Sequence, residues 1–171
     1  MINRKTYYTS ITQLYIFGFV FILSQAFPNR VICQDKLPIS KNAFVVIAHR
    51  GDHTKAPENT LKAYKNAIRN HVDYIEIDLR MTRDSQLVIM HDENLLRMTG
   101  VNAKVSDLTL DSVKKLKVSE KAHPNWGKHT IPTFKEVLNL SKGKVNIYLD
   151  FKNASVQKAY QEILQCNMER S

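Results

Sequence analysis

The chain has 171 residues, 43% of them hydrophobic, which suits one domain with a packed core and excludes a chain too polar to fold. It is basic, with 25 Lys and Arg against 16 Asp and Glu. That balance suits an anionic partner such as a phosphate ester, although a solvated lysine-rich surface accounts for it by itself. No run of five cations and no interleaving of aromatic with basic residues occurs, so nucleic acid is not the expected partner. The only cysteines, Cys33 and Cys166, form neither a disulfide framework nor a thiolate metal pattern.

Residues 1–26 read as a secretory signal. Arg4 and Lys5 form the charged start, Leu14–Leu23 is an unbroken apolar run, and Ser24-Gln25-Ala26 places small residues where a signal peptidase cuts. Cleavage after Ala26 is expected, with an uncleaved anchor as the alternative. The run is too short to cross a bilayer comfortably, so no stable membrane span is expected after cleavage. The location this implies is secreted or periplasmic. Ile32 stands before Cys33 where a lipoprotein signal needs a small residue. Residues 27–42 read as a polar linker and residues 43–171 as the folded domain.

Ala43–His49 is a short β-branched apolar run, expected as a buried strand. A loop containing Pro57 follows, and Asn59 is the expected N-cap of a helix running to about Asn70, with Leu61, Ala63, Tyr64, Ala67 and Ile68 at helical spacing. Tyr74–Met81 and Leu87–His91 are expected strands, joined by the short connection Thr82–Gln86. Helices are expected over Thr109–Leu116, with Asp111 in the first turn, and over Thr133–Leu140, just after Pro132. A fourth strand, Val145–Phe151, and a helix, Ala154–Gln165, complete the order. Strands separated by helices predict parallel βαβ units and an α/β fold.

The strand Tyr74–Met81 carries the chemistry. Side chains alternate across a strand, so Ile75, Ile77 and Leu79 share one face and Glu76, Asp78 and Arg80 the other. The apolar face suits covering helices. The other face brings two carboxylates together, about 6–7 Å apart at the backbone. Burying two neighbouring carboxylates is unfavourable, and a divalent cation resolves it. Hard oxygen ligands point to Mg²⁺ or Ca²⁺. An exposed edge strand with an acidic face is the competing reading of this segment alone. The other strand ends favour a site: His49-Arg50-Gly51, His91-Asp92, and Asp150 with Lys152 all stand where a parallel α/β barrel collects functional groups. His53, His71, His123 and His129 read as surface residues, and Trp126 as a loop-packing residue.

The runs Ala48-His49-Arg50-Gly51, Pro57-Glu58-Asn59-Thr60, Ile75-Glu76-Ile77-Asp78 and Met90-His91-Asp92 resemble the glycerophosphodiester phosphodiesterase family. Val105–Thr109, Ile131–Phe134 and Leu149-Asp150-Phe151-Lys152 extend the resemblance over about Phe44–Gln165. It implies a (β/α)8 barrel that hydrolyses glycerophosphodiesters to glycerol 3-phosphate and an alcohol. It implies that Glu76, Asp78 and Asp150 are metal ligands, Asp150 standing where the family usually has Glu. By the same resemblance His49 and His91 are the catalytic pair, Arg50 contacts phosphate, and Lys152 does the same; Glu58 belongs to a matching motif with no clear role. A relative acting on lysophospholipid or sphingolipid head groups, or an inactive remnant, is the alternative. A complete barrel takes about 200–250 residues. The expectation is therefore the first four βα units only, and a mature 27–171 chain that is poorly stable with little activity.

Overall fold

Tyr74–Met81 forms a strand over the expected span and is the centre of the sheet (β2). The computed structural model describes residue 40 and residues 43–169, within one unit, Ile39–Ser171. The leader-like segment 1–26 and nearly all of the linker 27–42 lie outside the described residues. Strand β1, Ile47–Ala48, pairs parallel with the start of β2. Strand β3, Leu87–Ile89, pairs antiparallel with its end, and strand β4, Asn146–Asn153, runs parallel along the whole of its other edge. Helices α1 (Leu61–Arg69), α2 (Leu96–Thr99), α3 (Leu110–Lys115), α4 (Phe134–Ser141) and α5 (Val156–Gln165) fill the connections.

Three expectations are corrected. The described residues contain three parallel strands, not four, because Leu87–Ile89 returns antiparallel to β2. The five-residue connection Thr82–Gln86 explains this: a parallel crossover needs a dozen residues or more. It closes as a hairpin, with Thr82 N–H donating to Gln86 O at 2.9 Å and Ser85 in the left-handed region at φ 59°. Second, the apolar run Ala43–His49 gives a strand of only two residues, and Phe44, Val45 and Ile47 are exposed. Among the described residues β1 has a neighbour on one edge alone. Third, Thr60, not Asn59, caps α1 by accepting from Ala63 N–H, because the Asn59 side chain is committed elsewhere.

The alternation of β2 is realised in three dimensions. Ile75, Ile77 and Leu79 are fully buried against Tyr64 and Ala67 of α1, Phe134 and Leu138 of α4, and Ala159 of α5. Each such side chain stabilises the fold by roughly 1.5–3 kcal/mol relative to exposure. Strand β3 is buried on both faces. Leu87 and Ile89 join that core, while Val88 and Met90 join a second one with Leu95, Met98, Val105, Val113, Val118 and Ile131. The unbroken apolar sequence of this strand follows from its two partners. Helix α4 begins with a reciprocal capping box between Thr133 and Glu136.

The turn after β1 depends on Gly51, which sits at φ +83°. A Cβ there would lie 2.9 Å from the Ala63 carbonyl carbon and Cβ and 3.0 Å from Tyr64 Cδ1. Gly51→Ala is expected to lower stability by about 2 kcal/mol or more, combining left-handed strain with the clash. Urea denaturation measures it, and an unchanged midpoint would show that the turn does not need glycine.

Candidate active site

The face of β2 opposite the core brings Glu76 and Asp78 to one side, and β4 adds Asp150. Asp150 stands directly across from Asp78 in the parallel register. One carboxylate oxygen from each of the three lies within 4.8 Å of the others. Glu76 and Asp78 are buried, and Asp150 is partly exposed. Burial raises the Glu76 pKa; the Arg50 N–H hydrogen bond opposes the rise, and the charge on Asp78 adds to it. Asp78 Oδ1 is buried without a hydrogen bond, with Lys152 Nζ 3.3 Å away. A buried carboxylate oxygen short of donors, beside two more carboxylates, is a donor set of hard oxygens that could hold a metal ion.

Lys152 follows Asp150 at an irregularity of β4, where the register with β2 shifts. Its ammonium lies 2.6 Å from Asp150 Oδ2 as well as 3.3 Å from Asp78 Oδ1. The hydrogen bond to Asp150 is the main reason its pKa is raised. Lys152 is thus placed among the carboxylates themselves.

The turn after β1 supplies the next group. Arg50 adopts φ 56°, which aims its N–H at Glu76 Oε2, 2.8 Å away. Its guanidinium lies 3.5 Å from Asp78 Oδ2 and donates to Glu58 Oε1 at 3.2 Å. His49 is exposed, and its charge acts on Glu76 to lower the pKa. Asn59 is buried at φ 55° and donates to Asp78 Oδ2 at 2.7 Å, while its own Oδ1 accepts from Tyr64 O–H at 2.6 Å. Burial, reinforced by the charges of Glu76 and Asp78, raises the Tyr64 phenol pKa well above its usual value, so it stays a proton donor.

The hairpin delivers His91 from the other direction. Met90 N–H donates to Asp78 O at 3.0 Å, so the chain has returned along β2 to the level of the carboxylates when His91 emerges. Arg80, on the acidic face of β2, holds the His91 carbonyl through Nε at 3.0 Å and Nη2 at 2.7 Å. His91 Nδ1 lies 2.8 Å from Asp92 Oδ1. Asp92 in turn accepts from Arg97, which also donates to Glu58 Oε1 at 2.6 Å.

Of the seven residues singled out in the sequence, His49, Arg50 and His91 lie in the segments that follow β1 and β3, whereas Glu76 and Asp78 lie within β2 and Asp150 and Lys152 within β4. Asn59, Tyr64, Arg80 and Arg97 are not among them. In the sequence Asn59 reads as a helix cap and Tyr64 as one of several residues at helical spacing, and an Arg in a one-turn helix carries no signal of its own. The surface readings hold for His53, His71 and His123, which are exposed; His129 is half-buried, its Nε2 3.0 Å from Trp126 O. Trp126 packs within its loop, its ring stacked on His123 at 4.1 Å between centroids.

The class of protein these features define is an α/β sheet whose central strand and its parallel neighbour bring together three carboxylates that could hold a metal ion. The glycerophosphoryl diester phosphodiesterase family matches residues 49–170, and the chain belongs to that family. A glycerophosphodiester phosphodiesterase of Bacillus subtilis (strain 168) is 34% identical over 140 residues, covering 77% of this chain and 48% of the relative. A lysophospholipase D of Homo sapiens is 36% identical over 126 residues, covering 70% and 40%. Among solved structures, the glycerophosphodiester phosphodiesterase of Agrobacterium tumefaciens str. C58 matches with a TM-score of 0.69 and 28% identity, covering 74% of this chain and 55% of that one. An Oleispira antarctica phosphodiesterase in complex with the product sn-glycerol-3-phosphate matches with a TM-score of 0.60 and 28% identity, covering 74% and 51%. These neighbours are (β/α)8-barrel proteins. The chain spans about half the length of the curated relatives it matches.

The Asp92 carboxylate is perturbed as well. The Arg97 hydrogen bond, outweighing partial burial and helped by His91, holds its pKa down to about 2. A depressed carboxylate pKa contributes stability above the ordinary value near 3.8, lost as pH falls toward about 2, but the contribution is small here because the Arg97 partner is largely open to solvent. A carbon-13 titration should therefore find Asp92 still ionised at about pH 3. A midpoint near the ordinary value would show that the Arg97 pair does not form.

Proposed function

We propose that this domain carries the centre of a metal-dependent phosphodiesterase that cleaves glycerophosphodiesters to glycerol 3-phosphate and an alcohol. The observation that carries the reading is the convergence of Glu76, Asp78 and Asp150 within 4.8 Å. Those three residues would hold Mg²⁺ or Ca²⁺. The bound cation would supply positive charge against the phosphate oxygens.

The chain's own groups do the rest. A phosphodiester resists attack because its anionic oxygens repel the incoming oxygen. Arg50, held at the site by Glu76 and Glu58, offers a planar fork of donors suited to phosphate. Lys152 adds a second cation within reach of the same carboxylates. His49 and His91 arrive from two different segments, and an imidazole can accept or donate a proton, which suits one to remove a proton from the attacking oxygen and the other to protonate the leaving alkoxide. Asn59, itself oriented by Tyr64, holds one oxygen of Asp78 and leaves the other without a hydrogen bond.

The similarity to a human lysophospholipase D favours a second reading, hydrolysis of lysophospholipid head groups by the same centre. Glycerophosphocholine and lysophosphatidylcholine, each offered to the full chain with cation, separate the two by mass spectrometry of the products.

The first reading expects cation-dependent release of glycerol 3-phosphate that a chelator stops. Calorimetric titration with Mg²⁺ or Ca²⁺ should show one site, lost in Asp78→Asn. His49→Ala and His91→Ala should each lower turnover by about 10²–10⁴-fold. Turnover that survives the chelator, or either histidine variant at the native rate, would assign the chemistry elsewhere.

A further inference from the structure

We infer that Arg97 is a positioning residue for His91: it acts through Asp92, and through Glu58 it ties the His91 segment to the turn that carries Arg50. The catalytic consequence rests on the phosphodiesterase reading; the structural one does not. Arg97 lies in the one-turn helix α2, anchored by the burial of Leu95 and Met98 in the second core and closed by Gly100 at φ 79°. Its guanidinium meets Asp92 with two donors, Nε to Oδ2 at 2.6 Å and Nη2 to Oδ1 at 3.0 Å. A fork of this kind fixes the plane of a carboxylate, which a lysine ammonium does not. Nη2 also donates to Glu58 Oε1 at 2.6 Å, the oxygen that accepts from Arg50 Nη1 at 3.2 Å.

The consequence falls on the His91 ring. Arg80 already holds the His91 backbone, so the remaining freedom is rotation of the side chain. Asp92 Oδ1 lies 2.8 Å from His91 Nδ1, and an ionised carboxylate can only accept. The neutral ring therefore carries its proton on Nδ1 and leaves the lone pair on Nε2, the nitrogen then available to exchange protons with substrate. Asp92 enforces this only while its own carboxylate is held, and Arg97 holds it. Glu58 stops Arg97 from swinging out: burial opposes its ionisation, but the Arg97 hydrogen bond and charge, with Arg50, keep its pKa below the usual range. The Arg97 side chain is 47% exposed. An ion pair so open contributes little to stability, so its effect is expected in ring orientation rather than in folding.

The test uses nitrogen-15 spectra of the His91 ring in the full chain, with denaturation curves alongside. The native protein should show one Nδ1–H tautomer. Arg97→Gln should melt as the native protein does and give averaged ring nitrogens, and Arg97→Lys, which keeps charge without the fork, should fall between. An Nε2–H tautomer in the native protein overturns the inference, as do native ring shifts in either variant. With glycerophosphocholine and cation, Arg97→Gln should lower kcat by about 10-fold or more while KM changes little. Where the native chain shows no turnover, the tautomer spectra alone decide this inference.

Discussion

A carboxylate buried on the central strand of a sheet must have its charge answered by protein groups or a bound ion, because water cannot reach it. Asp78 is that carboxylate. Leaving it unpaired would cost several kcal/mol, and its surroundings are built to prevent this. Asn59 donates to one oxygen, while Arg50 and Lys152 stand 3.5 Å and 3.3 Å from the two oxygens. Asn59 is in turn oriented by Tyr64, and Arg50 by Glu58. The same groups that neutralise Asp78 are those a phosphate ester would need, so stability of the acidic face and readiness for an anionic substrate have one origin.

On the proposed phosphodiesterase reading, two histidines must reach this face from separate segments. His49 comes off the end of a parallel strand, as barrel geometry provides. His91 comes by a different route, a hairpin that doubles back along β2 until its chain hydrogen-bonds Asp78 O. Doubling back buries β3 on both faces and creates the second core beneath α2. That core fixes the helix from which Arg97 reaches Asp92 and Glu58. The packing of Val88, Met90, Leu95 and Met98 is thereby connected to the orientation of the His91 ring.

Much of this was legible in the chain order of residues. The period of two in Tyr74–Met81 separates an apolar from an acidic face because alternation is a property of the extended backbone itself. The Thr133 and Ser155 caps, and the strand and helix order, follow from equally local rules. The antiparallel return of β3 was also written there, in a connection too short for a crossover. Tertiary structure alone decided the rest. Asp150 joins Glu76 and Asp78 because β4 pairs with β2 in one register among several its apolar pattern allows. Asn59 turns from a helix cap into a ligand of Asp78, 19 residues away, and Arg97 finds Glu58 39 residues back. Alternation and capping need only neighbours along the chain, whereas these bonds exist only once two cores have packed and brought distant segments within 3 Å.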